Sequence, residues 1–304
     1  MPNGSFEEYW ECPTMYSTPG DPQFEKCKYW FIPTEGTPDY MNICANPNYN
    51  IGIPLNLGGY QYPFDGNGYA GFNLLYVDFY NDKPEYREYI QTKLNYPLEN
   101  GQEYYLRFYV NKSNVYGLAI DRIGAYFSSY PISKNDAEVL SVVPQVSNPR
   151  HRIIVDTINW TEISGTFIAT GGEQYITIGN FYSLEETDTL IFNPDWPDDY
   201  AYYYIDGISL IKVESKIQVP NVFTPNGDGF NDYFVIDSKS IIEYQLYIYN
   251  RWGGVVFSSN NTNEKWDGKL NGLDCPEGVY YYIINAKGAE GKNYNLNGSV
   301  QLLR

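Results

Sequence analysis

The stretch EYYLRFYVN, residues 103–111, sets Tyr104, Leu106, Phe108 and Val110 on one parity and Tyr105, Arg107 and Tyr109 on the other. A period of two built from aromatic and branched residues is the pattern of a β-strand with one buried face. The same alternation recurs in GLAIDRIGAYFS (117–128), RIIVDTINW (152–160), SGTFIAT (164–170), QYITIGNFY (174–182) and YYYIDGISLIKV (202–213). Turn clusters such as NYPLENGQEYY and ATGGEQY separate these runs, and long helical stretches rich in Ala, Leu and Lys are absent. The 33 tyrosines among 304 residues fit this reading. A tyrosine ring packs on a pleated surface while its hydroxyl stays wet. The fold class expected is all-β, with a β-sandwich built from the strands up to about residue 214.

A second set of shorter strands follows: DYFVID (232–237), IEYQLYIYN (242–250), GVVFSS (254–259), GVYYYIINAK (278–287) and GSVQLLR (298–304). RWGG (251–254) and KGAEGK (287–292) supply hairpin turns with glycine available for positive φ. Strands of this number and length match a small immunoglobulin-like β-sandwich. VESKIQVPNVF (213–223) joins the two halves without a Gly/Ser linker. The charge divides at the same place. From residue 217 onward there are seven basic and nine acidic residues, which leaves thirteen and twenty-eight before it. The front half thus carries −15 of the net −17. That sign argues against nucleic acid as a partner and against docking on anionic lipid. No run approaches the ~18 apolar residues of a membrane span. The start, MPNGSFEEYW, lacks the basic and apolar regions of a signal peptide, as expected of a mature chain whose leader is gone.

Cys12, Cys27 and Cys44 lie in a proline-studded excursion with no C-x-x-C pair, and His151 is the only histidine, so zinc is disfavoured. Three pairings are open within the trio. Cys12–Cys44 is favoured because it staples the excursion to its root, with Cys275 left as a packed free thiol. Catalytic constellations are missing as well: there is no Gly-x-Ser-x-Gly, no phosphate loop and no His pair. His151 sits between Arg150 and Arg152 at the start of an expected strand, a poor place for a general base. The expectation is a protein that is not an enzyme, although two carboxylates across a cleft could in principle hydrolyse a glycosidic bond.

VPNVFTPNGDGFND (219–232), IYNRWGGVVF, WDGKLNG, CPEGVYYYII and the terminal GSVQLLR occur in the order found in the gliding-motility-associated C-terminal domain. Residues 218–304 resemble this family, the type B sorting domain of the Bacteroidetes type IX secretion system. The resemblance implies a folded export signal read by the outer-membrane translocon and its partners, with the protein secreted to the cell surface or medium. The front half, 1–214, is similar in PNGSFEEY and YYYIDGISL to carbohydrate-binding jelly rolls of the galactose-binding-like type. That implies a jelly-roll passenger with a glycan or adhesive role. The alternative is a front half that binds another surface protein of the motility or adhesion machinery.

Site expectations follow. In jelly rolls of this type a structural calcium joins an opening Glu to an Asp on the last strand, and the matching positions are Glu7 and Asp206. Asn226, Asp228 and Asp232 offer further oxygens. Their spacing fails the calcium-loop pattern, so a turn capped by Asx side chains is the preferred reading. Aromatic platforms for sugar are sought at Trp30, Tyr60, Tyr62 and Tyr69. Arg87, Tyr116 and Trp196 complete that set. Trp160, Trp252 and Trp266 are expected to be structural. Translocon recognition is expected at an open terminal strand formed by Gly298, Ser299, Val300 and Gln301, continuing through Leu302, Leu303 and Arg304. Asp156-Thr157-Ile158 and Asp188-Thr189-Leu190 resemble the short O-glycosylation acceptor pattern of Bacteroidetes.

Overall fold

The computed structural model describes residues 1–77, 85–191, 200–288 and 292–304. Trp196 and the tip of the 287–292 turn lie outside the described residues. The chain forms two compact units: Met1–Asn100 with Tyr104–Ile211, and Gly101–Glu103 with Lys212–Arg304. Both are built from strands, with only short 3-10 turns besides.

The first unit holds two five-stranded sheets. Its strands are β1 (Trp30–Phe31), β2 (Asp39–Asn42), β3 (Gly68–Tyr76), β4 (Ile90–Lys93) and β5 (Glu103–Lys112). Then come β6 (Ile123–Ser128), β7 (Val146–Ser147), β8 (Thr161–Ile168), β9 (Tyr175–Asn180) and β10 (Tyr200–Lys212). One sheet runs β1-β4-β9-β6-β7 and the other β8-β5-β10-β3-β2. The two face each other across one apolar core. Ile90, Ala125, Phe127, Ile176 and Ile178 come from the first sheet. Phe72, Leu106, Phe108, Val110 and Tyr203 come from the second. In β5 the buried parity is Tyr104, Leu106, Phe108 and Val110, so the alternation read from the sequence is the one that packs.

Two of the expected strands differ from the structure. Residues 152–160 are not a strand. Asp156 Oδ1 instead accepts the amides of Ile158 (2.8 Å) and Asn159 (2.8 Å), an Asx turn that competes with any ladder. Thr157 therefore lies in that turn, and Thr189 is exposed in a short strand. The run 117–128 splits at Arg122, whose φ of 54° breaks the extended backbone, leaving Leu118–Ile120 outside the main sheets. A disulfide joins Cys12 to Cys44, while Cys27 and Cys275 are free and buried.

In the second unit, β11 (Val222–Phe223), β12 (Ile241–Tyr249), β13 (Val255–Ser259), β14 (Gly278–Gly288) and β15 (Asn293–Leu302) form one sheet in the order β11-β15-β14-β12-β13. Two short ribbons, Lys216–Gln218 with Asp237–Lys239 and Lys269–Leu270 with Leu273–Asp274, accompany it. Residues 232–237 do not form the expected strand. Phe234 and Ile236 do reach the core, but Phe234 pairs only through a single bridge to Trp266. Trp266 is 1% exposed and central, as expected; Trp252 is 86% exposed and is corrected from a packing to a surface position.

Candidate functional site: a tyrosine-lined cleft on the first unit

Strand β10 reads Tyr200-Ala201-Tyr202-Tyr203-Tyr204-Ile205, and its two faces do different jobs. Ala201, Tyr203 and Ile205 enter the main core. Tyr202 and Tyr204 point the other way, yet they too are buried, beside Met41 of β2 and Tyr69 of β3. Ile53, Leu57, Tyr116 and Trp160 from the covering loops pack on them. The outer face of this sheet is therefore roofed rather than bathed in solvent. Trp160, expected in the inter-sheet core, belongs to this roof and donates Nε1–H to the Tyr62 carbonyl (3.1 Å).

Beside the roof the sheet opens into a cavity of about 570 Å³. Its aromatic walls are Tyr16, Tyr76, Tyr86, Tyr116, Tyr200 and Tyr202. Tyr76 and Tyr200 are paired across the strands with ring centroids 4.5 Å apart. Tyr116 lies over them, 5.6 Å from Tyr200 and 5.3 Å from Tyr202. Lys112, itself fully buried, holds this loop by donating to the carbonyls of Ser113 (2.9 Å) and Tyr116 (2.6 Å). The excursion stapled by Cys12–Cys44 supplies Ser17, Thr18 and Pro19 to the opposite wall.

Three polar side chains stand on the floor. Asp39 of β2 accepts the Ser17 amide (2.7 Å) and the Tyr202 hydroxyl (2.7 Å). To reach Asp39 the Tyr202 hydroxyl crosses Gly71, where any Cβ would collide with it. Glu88 accepts the Asn73 amide (2.6 Å) on one oxygen. Its other oxygen takes the Tyr86 hydroxyl (2.7 Å), the Thr37 amide (3.0 Å) and the Thr37 hydroxyl (3.1 Å). Burial, with Glu88 adding like charge, pushes the Asp39 carboxyl up to about 8. Burial likewise raises Glu88. Asn73 is the third. Its backbone is bonded both ways to residue 88, yet its side-chain Oδ1 and Nδ2 are buried without a partner. A buried amide left unpaired costs about 1–3 kcal/mol per group, so proteins seldom leave one unless a ligand or water completes it.

Of the described aromatic and cationic residues singled out in the sequence, only Tyr116 lines this cavity. Trp30 is 3% exposed in the main core and donates to the Asn3 carbonyl (2.9 Å). Tyr69 is fully buried, donating to the Gln61 carbonyl (3.0 Å), and Arg87 is fully buried against Glu85 (2.7 Å). These three are corrected: packing removes them from any surface platform. Tyr60 and Tyr62 are exposed and meet edge-on at 5.7 Å, away from the cavity lining. Asp39, Asn73, Glu88, Tyr200 and Tyr202 were missed. The available signal was the unbroken run of large residues in β10, too bulky on both parities for a strand with one wet face.

The calcium expected at Glu7 and Asp206 falls on two carboxylates that the fold engages with amides. Both carboxylates do converge on one segment, 64–68. Asp206 accepts the amides of Phe64 (2.9 Å), Asp65 (3.0 Å) and Gly207 (2.6 Å). Glu7 accepts the amides of Asn67 (2.6 Å) and Gly68 (2.9 Å) and the Asn67 side chain (3.1 Å). Each carboxylate thus spends three of its roughly four lone-pair sites on N–H donors, a poor fit to an ion that demands oxygen ligands around it. Hydrogen bonds do the clipping. Burial pushes Asp206 up to about 8. The loop at 226–232 fits an ion no better. Asn226 accepts the Asp228 amide (3.0 Å), Asp228 accepts the Phe230 amide (2.8 Å), and Asp232 accepts those of Gly227 (2.7 Å) and Gly229 (2.8 Å). It is the Asx-capped turn, with Gly227 at φ 81° and Gly229 at φ 89°. Among the described residues no group of three or more His, Cys, Asp or Glu is placed to hold a metal.

The terminal strand is covered on its outer edge only at its end. β15 lies between β14 and β11, with Val222 and Phe223 running parallel beside Gln301 and Leu302. Val300 and Leu302 are fully buried, which leaves Ser299, Gln301 and Leu303 facing outward. Gly298 lacks the Cβ that would collide with the Tyr282 hydroxyl. Arg304 is anchored through its amide to Glu277 (2.6 Å) and through its guanidinium to the Cys275 carbonyl (2.7 Å). Val300 and Leu302 are thus core and Arg304 is a clamp, while β11 covers the outer edge of the strand only at 301–303.

Residues 217–302 match the family described as CHU_C Type IX secretion signal domain. No curated protein matches the chain. Solved structures similar to it include the CBM22-1–GH10 modules of Clostridium thermocellum xylanase 10B, at 11% identity and TM-score 0.34 over 72% of this chain. The chain spans 29% of that xylanase chain. The adhesin domain of Epf from Streptococcus pyogenes gives 13% identity and TM-score 0.28, covering 78% of this chain and 76% of that one. The K1 cleaved adhesin domain of Lys-gingipain from Porphyromonas gingivalis gives 13% and 0.29, covering 60% and 90%. Likenesses of this size carry no argument about ligand. The family match is of another kind and concerns the second unit alone: the segment 217–302 carries the signature of a type IX secretion signal domain.

Proposed function

We propose that this chain is a type IX secretion cargo that delivers a glycan-binding cleft to the cell surface or medium. The second unit, read as an immunoglobulin-like sandwich, acts as the address recognised by the translocon and its outer-membrane partners. The front unit, read as a jelly roll, is the passenger and not an enzyme. The signature over 217–302 supports the address. The single observation that carries the passenger's role is the unpaired amide of Asn73 on the floor of a tyrosine-walled cavity. Sugars present stacked C–H faces to aromatic rings and paired hydroxyls to an amide, which is the combination this cavity offers. The rival reading, a front unit that binds another surface protein, lacks a feature of comparable specificity. Two measurements test the proposal. The protein should reach the medium or surface in wild-type cells and accumulate inside translocon-deficient ones. The intact chain should bind glycans on an array. Silence on the array together with capture of a surface protein would favour the rival.

A further inference from the structure

We propose that the cleft selects its sugar by charge, taking an ammonium-bearing amino sugar in preference to the neutral N-acetylated form and excluding uronates. This rests on the reading that the cleft binds a glycan at all. Two carboxylates stand on its floor, Asp39 at 5% and Glu88 at 4% exposure. Among the described residues that line it there is no lysine, arginine or histidine. Glu88 has its lone pairs committed to four donors, whereas Asp39 accepts only two. A carboxylate has room for about four, so Asp39 is the acceptor with capacity left for a ligand. The tyrosine walls add to the same preference, because the face of an aromatic ring is electronegative and attracts a cation. Asn73, with donor and acceptor both unmet, is the independent observation that points to a polar guest here, and it suits the sugar's neutral hydroxyls.

Physical consequences follow for each charge state. An ammonium brought beside Asp39 gains a charge-assisted hydrogen bond in a site where water screens little. A uronate carboxylate meets two buried acids and, among the described residues that line the cleft, no cation. The acetylated sugar keeps its ring and hydroxyl contacts but loses the charge. Among the described residues the groups facing Asp39 are the Ser17 amide, the Tyr202 hydroxyl, Glu88 and, more distantly, Tyr116 and Tyr204. None is cationic. Since burial holds Asp39 up at about 8, a bound ammonium draws its proton away near neutral pH.

The test uses the full chain in isothermal titration near neutral pH with oligomers of glucosamine, N-acetylglucosamine and galacturonate of equal length. The glucosamine oligomer should bind at least roughly tenfold tighter than the acetylated one, a gap of the size that a buried ion pair with cation–π support provides. The galacturonate oligomer should give no heat. Titrations in two buffers of different ionisation heat should show proton release only with glucosamine. Asp39→Asn should bring the glucosamine affinity down to that of the acetylated oligomer. Equal or reversed affinities, or uronate binding, would overturn the inference. So would a preference that survives in Asp39→Asn, because attraction to the acidic surface as a whole would then explain it. Binding of neutral glycans without an amine preference removes this inference and spares the proposed function. A chain that binds no glycan removes both. Should Asp39→Asn fail to fold, the wild-type affinities and the proton count decide alone.

Discussion

Asn73→Leu separates a binding residue from a structural one. The backbone of residue 73 is fixed from both sides by residue 88, so its position does not depend on its side chain. Two buried side-chain atoms lack partners. Each costs about 1–3 kcal/mol if dry, and water entering the cleft offsets much of that. A near-isosteric apolar replacement should therefore hold the stability of the first unit or raise it by about 1–2 kcal/mol, which is about 2–8 °C in Tm for a unit of this size. Glycan affinity should fall at the same time by roughly tenfold to a hundredfold, since the polar anchor is gone. Differential scanning calorimetry and isothermal titration on the same sample read both numbers. A drop in Tm with unchanged affinity would refute the reasoning, because it would make Asn73 part of the fold and leave the cleft without its specific contact.

Stability should also fall with rising pH. The carboxyls of Asp39 and Asp206 sit near 8 in the folded chain against 3.8 ordinarily, so the folded state holds protons that the unfolded state has released. Their stabilising contribution is full below about pH 4 and is lost as the pH climbs to about 8; Asp39→Asn should flatten part of that slope in Tm, and an unchanged slope would contradict it. Replacing Cys12 and Cys44 by Ala should cost about 3–4 kcal/mol for a loop of this length and weaken glycan binding, since that loop forms a wall of the cleft; unchanged binding would detach the loop from the site. Chelation should leave Tm unmoved, whereas Asp206→Ala should lower the unfolding free energy by about 2–4 kcal/mol through the loss of three amide partners; a chelator-sensitive Tm would restore the ion. In the second unit, Asp232→Ala frees the amides of Gly227 and Gly229 and should cost about 1–2 kcal/mol and reduce export; normal export with an unfolded opening turn would free the signal from that turn.

Strand chemistry was legible because it is local. The alternation in 103–111 settles which residues of β5 are buried. It failed where a side chain outbid the ladder. Asp156 captures two amides and turns 152–160 into a loop, and Arg122 at positive φ divides 117–128. The cleft was harder to read, because its members come from β2, β3, β10 and the segment around residue 88. Tyrosine was too frequent to rank by eye, and Trp30, Tyr69 and Arg87 drew attention by type when burial had already used them. The expected glutamate–aspartate clip did form, but through the amides of 64–68, which no spacing argument distinguishes from an ion.

The most direct measurement is a nuclear magnetic resonance titration of the intact chain, following the Asn73 side-chain amide as a glycan is added. The account predicts that this signal moves together with those of Tyr76, Tyr116, Tyr200 and Tyr202, and that it saturates with the affinity found by calorimetry. A glycan that binds while the Asn73 amide stays still would place the site elsewhere and contradict the central claim.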